Sequence, residues 1–171
     1  GGETSKSERD ADPNTNACIL SGDLQGDDSS TDPNDPSRAD NTYHVVTANG
    51  CNTTALLDGF RIEGGNANAT GPDDVGAGIT IPNGGPQIAN CLLADNSSIA
   101  SSGGWYSAGA RPLMSNVRVE GNTSPNDVTG KVFDTWVTLQ DNLALAQGRL
   151  SVTASLFDGV GRIALEPNGI L

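Results

Sequence analysis

Short apolar stretches punctuated by polar, glycine- and asparagine-rich turns run the length of the chain. ACILSGDL (from Ala17), TYHVVT (from Thr42) and ALLDGFRIEGG (from Ala55) read as strands. Further strands are predicted around Ile79 and Ile81, at 91–93, at 105–106 and at 117–119. Side chains alternate across a strand. One face then carries Phe60/Ile62, Cys91/Leu93 and Val117/Val119, and the other Arg61/Glu63, Leu92/Ala94 and Arg118/Glu120. Two of these three strands are apolar on one face and charged on the other throughout. Residues 24–41 interrupt the series as an acidic insertion loop, and GNANATGPDDVGAG (from Gly65) as a second loop.

The strands echo one another. Pro86, Asn90 and Asn96 recur as Pro112, Asn116 and Asn122, and Gly78 recurs as Gly104, each 26 residues on. GFRIEGG is a looser third copy. A period of this length marks a stacked architecture. At up to ~3.3 Å per residue, 26 residues suffice to circle a narrow prism and return one strand spacing (about 4.8 Å) higher. The predicted fold class is therefore all-β, a single-stranded parallel β-helix. An antiparallel sandwich, the other use of repeated short strands, has no reason to keep Pro, Asn and Gly at one fixed offset. Asn90 over Asn116 and Asn96 over Asn122 should stand at corners, where Asn tolerates left-handed backbone angles and stacked amides form ladders. Residues 1–171 read as a single domain, with the clear repeat at 42–124 and less regular strands at 130–171. LQDNLALAQ (from Leu139) fits a helical turn or two less well than continued strands.

Composition narrows the setting. With 35% hydrophobic and 4% aromatic residues, the core must be aliphatic. The net charge of −12 repels nucleic acid and anionic lipid, so neither is an expected partner. No apolar run approaches the roughly 18–20 residues that span a bilayer, and no signal peptide opens the chain. Neither end resembles a natural cap, so a fragment of a longer protein is expected. Cys18, Cys51 and Cys91 have no CxxC spacing, which argues against a cysteine metal site. One disulfide with a spare thiol remains open, and Cys91 falls in a core column.

The N-terminal two thirds resemble a known family. Gly1, Gly2, Thr4, Arg9 and Asp10 are followed by Ile19, Leu20, Ser21, Gly22 and Asp23, then His44, Val45 and Val46, then Leu57, Asp58, Gly59, Phe60 and Ile62. This order is similar to the pectin lyase-like, right-handed parallel β-helix proteins of bacterial cell surfaces, whose repeats resemble those of polymorphic outer membrane proteins. NCLLADN and NVRVEGN resemble that family's Asn-Cys-x-Phe-x-x-Asn unit, with Leu93 and Val119 in place of phenylalanine. The match covers residues 1–124. It implies a right-handed helix, and an extracellular or outer-membrane scaffold or adhesin rather than a defined reaction. Implied partners are a polysaccharide or a cell-surface protein, with the chain a monomer or part of a larger one.

Candidate chemistry is sparse. Asp23, Asp27, Asp28, Asp32 and Asp35 supply the hard oxygen donors that calcium prefers, and are the candidate metal ligands. They lack the ligand order of an EF-hand, and the segment equally reads as a solvated loop held open by charge repulsion. Asp73 and Asp74 form a lesser candidate. His44, the only histidine, would have to serve any Ser-His-Asp triad, but it sits among apolar neighbours and no Gly-x-Ser-x-Gly elbow is present. The alternative function is a polysaccharide lyase or glycoside hydrolase. Glu63 and Glu120 lie two coils apart in one outward column, about 9.6 Å at sheet spacing. A related fold class uses an arginine as the base of β-elimination, which points to Arg61 or Arg118. Each has a carboxylate two residues away that would keep it protonated. Asn-x-Ser/Thr triplets at Asn52, Asn68, Asn96 and Asn122 arise by chance in so asparagine-rich a chain. Of the adjacent Trp105 and Tyr106, one should point inward and the other outward, where it could stack on a sugar.

Overall fold

The computed structural model describes residues 18–125 except 101 and 109, together with strand backbones at 128–133, 136–139, 143–153, 156–159 and 163–170. The Gly1, Gly2, Thr4, Arg9 and Asp10 element lies outside the described residues.

The described chain is all-β with parallel strands. β1 (Cys18–Ser21) pairs with β4 (Phe60–Glu63), then come β8 (Leu92–Ala94), β12 (Val117–Glu120) and the start of β15 (Leu143–Thr153). A second stack runs β3 (Leu56–Asp58), β7 (Gln87–Ala89), β11 (Leu113–Ser115), β14 (Trp136–Leu139) and β16 (Leu156–Gly159). The third holds β2 (Val46–Cys51), β6 (Ile79–Gly84), β10 (Trp105–Ala108), β13 (Val128–Phe133) and the end of β15. Because β15 runs through a corner, the first and third stacks join into one ten-stranded sheet. β5 (Asn66–Ala67) with β9 (Ser97–Ser98), and β17 (Ile163–Ile170) beside β15, complete the strands. Every pairing is parallel and each neighbour lies one turn of chain away, an arrangement compatible with a parallel β-helix.

The registers follow the sequence echo. Ile62 pairs with Leu93 and Leu93 with Val119, while Trp105 lies over Ile79 and Met114 over Ile88. The interior is made of these columns: Ile62, Ile79, Ile81, Ile88, Leu93, Trp105, Met114 and Val119 are all fully buried. Each such side chain contributes about 1.5–3 kcal/mol. Beyond 130 the coil shortens, and Leu143 meets Ile163 only 20 residues on. Within LQDNLALAQ, Leu139 ends β14 and Leu143 begins β15.

Three expectations change. TYHVVT becomes a strand only at Val46. His44 instead turns its Nδ1 to the Gly76 carbonyl (3.2 Å) and its Nε2 to Asp73 (3.3 Å). ALLDGFRIEGG is two strands, broken at Gly59 (φ 81°), where the chain turns from one face to the next. Asn90 and Asn116 hold the expected left-handed angle (φ 51° each), but at the following corner Asp95 (56°) and Gly121 (62°) take it rather than Asn96 and Asn122. Those two asparagines are instead buried. Asn122 Oδ1 accepts from the Asn96 backbone N–H (3.1 Å) and from Asn96 Nδ2 (3.0 Å). Asn96 Nδ2 also donates to the carbonyls of Ile62 and Ala94, and Asn122 Nδ2 to those of Leu93 and Glu120. Cys91 is buried, with its thiol raised by desolvation, and all three cysteines are free. Among the described residues no helix is long and apolar enough to cross a membrane.

Candidate functional site

A cleft of about 500 Å³ opens where β1 and β4 end, beneath the acidic loop. Its lining comes from three turns of chain: Ser21, Asp23 and the 28–31 segment, Glu63 and Gly64, and Asp95. Arg38 completes it. Register explains this convergence. Ser21 pairs with Glu63, and Glu63 occupies the same column as Ala94, so the residues after each strand end meet at one corner.

The loop is closed, not held open by repulsion. Arg38 ends a short 3₁₀ turn (Pro36–Arg38) capped by Asp35, and its side chain is 1% exposed. Its guanidinium donates to Asp28 Oδ2 (2.9 Å) and to the carbonyls of Ser30 (3.0 Å), Gly65 (2.9 Å) and Asp95 (3.4 Å). Asn41 Nδ2 bridges Asp28 (2.9 Å) and the Gly64 carbonyl (2.7 Å). Asn66 and Asn68 donate to the carbonyl of Pro33. Burial pulls Arg38 below the usual guanidinium range, against the nearby carboxylates, but a guanidinium starts so high that it stays charged at neutral pH. Burial likewise raises the Asp28 carboxyl, against the Asn41 hydrogen bond and the Arg38 charge.

The five candidate metal ligands part company. Asp28 is turned to Arg38 and Asn41, Asp32 accepts from Asn34, and Asp35 accepts from the backbone and hydroxyl of Ser37. Asp23 and Asp27 do come together, with Asp40 as the third member, their nearest oxygens within 4.8 Å of one another. Asp40 also accepts from the Leu24 backbone N–H (3.1 Å). Asp23 closes a turn on the N–H groups of Gln25, Gly26 and Asp28. Desolvation is the largest single influence and raises its carboxyl, but the backbone donors together outweigh it and the carboxyl is lowered. Asp73 sits against His44.

Of the alternative catalytic residues, Glu63 lines the cleft, while Glu120 and Arg118 do not. Arg61 donates to Glu63 and to Asp95 (2.8 Å), and Arg118 to Glu120 (2.7 Å). Burial opposes the charge on Arg61, but Glu63 and its acidic neighbours outweigh it and raise its pKa. Arg61 is thereby removed further from the role of a base. Leu92, between Arg61 and Arg118 in that outward column, is fully buried. Trp105 points inward and Tyr106 is half-buried on the outer face.

The site residue that composition alone does not single out is Arg38. Its signal is positional, one arginine among the six aspartates of residues 22–41. Comparison with protein-family models, curated proteins and solved structures yields no match.

Proposed function

We propose that the chain is a structural or adhesive segment of an extracellular or cell-surface protein, a right-handed single-stranded β-helix of pectin lyase-like type that presents its loops to a glycan or protein partner. The observation that carries this reading is the state of the outward charges. Arg61 is spent on Glu63 and Asp95, and Arg118 on Glu120, so neither arginine is set up to take a proton from a sugar. Glu63 and Glu120 do not share the cleft. What is left is a stiff stack with a folded acidic loop on one corner, a shape suited to display.

The lyase or hydrolase reading rests on fold analogy, a weak warrant for function. Incubation with pectin, alginate and neutral polysaccharides separates the two, with and without calcium. Among the described residues, the carboxylates that converge for such an ion are those of Asp23, Asp27 and Asp40. No new unsaturated or reducing ends are expected; sustained release of either overturns the display reading. Labelling of intact native cells with an antibody raised against residues 22–41 tests location: staining without permeabilisation is expected, and staining only after permeabilisation overturns it.

A further inference from the structure

We propose that the cleft under the acidic loop binds a saccharide bearing a free amino group. The inference rests on the reading of the chain as a glycan-facing segment and names the glycan class.

Size comes first. About 500 Å³ lies within the ~300–1,000 Å³ of small-molecule sites and far above the ~30 Å³ share of one water. Every lining residue except Gly64 carries a polar side chain. Ser21, Ser29, Ser30 and Thr31 bring hydroxyls that both donate and accept, matching the hydroxyls of a sugar ring.

Charge then selects among sugars. Asp23, Asp28, Glu63 and Asp95 face the cleft, against one lining cation, Arg38. Arg38 is consumed by Asp28 and three carbonyls, and its remaining Nε is buried. A uronate would thus enter a carboxylate-rich cleft with no accessible guanidinium to meet it. Arg61, the cation behind Glu63 and Asp95, is one charge shared between two carboxylates. The surplus is negative, and the net charge of −12 extends that field outward. An ammonium group on a polyhydroxy ligand satisfies both features, donating to Glu63 or Asp95 while its hydroxyls meet the serines. A bare metal ion fits less well. The acidic oxygens that converge within 4.8 Å belong to Asp23, Asp27 and Asp40, and neither Asp27 nor Asp40 lines the cleft.

The floor is hydrogen-bonded in place without a ligand. Arg38 and Asn41 tie the loop to the carbonyls of Gly64, Gly65 and Asp95, so little ordering entropy is lost on binding.

The test is titration of the whole chain at mildly acidic pH and low salt with a β-1,4-linked glucosamine tetramer, its fully N-acetylated counterpart and a galacturonate tetramer. Calorimetry gives affinities, and amide NMR shifts locate the contact. The glucosamine tetramer should shift Ser29, Ser30, Thr31 and Gly64, and bind about tenfold more tightly than the N-acetylated form. The galacturonate should not bind. Glu63→Gln and Asp95→Asn should each weaken binding roughly fivefold at an unchanged unfolding midpoint, and salt should weaken it further. Equal affinity for the amino and N-acetylated forms overturns the proposal, as do shifts confined to other surfaces or no binding to any of the three. If only the N-acetylated or uronate polymer binds, the glycan-facing reading stands and the amino-sugar inference falls.

Discussion

Two asparagine pairs with the same spacing do different work. Asn116 donates to Asn90 on the surface (2.9 Å), and both residues hold left-handed backbone. Conformation is what their positions require. Asn116→Gly should therefore change stability by less than about 1 kcal/mol, whereas Asn116→Val should cost about 1–2 kcal/mol, read from urea midpoints. Asn96 is fully buried and serves the Gly65 N–H, two carbonyls and Asn122. Asn96→Ala leaves several of these groups without partners in the interior, and a loss of about 3 kcal/mol is expected by the same measurement. Gly78 belongs to the same echo. A Cβ there would lie 2.4 Å from the Gly104 carbonyl oxygen, so the rungs approach too closely for any side chain.

At the scale of elements, the acidic loop is organised around one buried cation. Arg38→Met strands Asp28 and three carbonyls, and should cost about 3–5 kcal/mol. Limited proteolysis should find cleavage within residues 22–41 before the stack unfolds. Arg38→Lys should not restore protection, because an ammonium cannot reproduce the planar fork. Acid acts on the same element. Asp35, through its bonds from the Ser37 hydroxyl and backbone, and Asp23, through backbone donors that outweigh its burial, both have lowered pKa values. A carboxyl lower in the folded than in the unfolded state stabilises fully above the unfolded value near ~3.9, and that support fades as pH falls through the folded one. Hydrogen-exchange protection factors in residues 23–37, each observed rate being divided into the intrinsic rate at the same pH, should therefore be steady from neutral pH to about 5 and fall below about 4, ahead of those of the β8 and β12 amides.

The whole molecule is a stack in which one coil resembles the next. Excising Leu92 through Val117, one full turn of 26 residues, joins Cys91 to Arg118 and keeps every inward column in phase. The shortened chain should still unfold cooperatively and keep its β circular dichroism. Removing one residue more or fewer should abolish cooperative unfolding, since a one-residue slip turns each inward side chain outward. The net charge of −12 opposes compaction throughout, so moderate salt should raise the melting temperature of the intact chain.

Periodic features were legible from the chain itself. The spacing of Asn90 and Asn116, and of Leu93 and Val119, announced parallel rungs because a repeated backbone path imposes a repeated side-chain environment. The Arg61/Glu63 and Arg118/Glu120 pairs were visible for the same reason, since residues i and i+2 share a strand face. The cleft was not legible, because it is built from pieces that do not repeat. Arg38 reaches Gly65 and Asp95, 27 and 57 residues away, across a corner formed only once the rungs stack. Composition counted the aspartates of the loop; only folding decided that Asp28 would face an arginine, that Asp40 would join Asp23 and Asp27, and that Glu63 and Glu120 would fall in different surroundings. Local pattern dictates which way a side chain points along its own strand, while the company it keeps depends on which distant turn of chain is laid beside it.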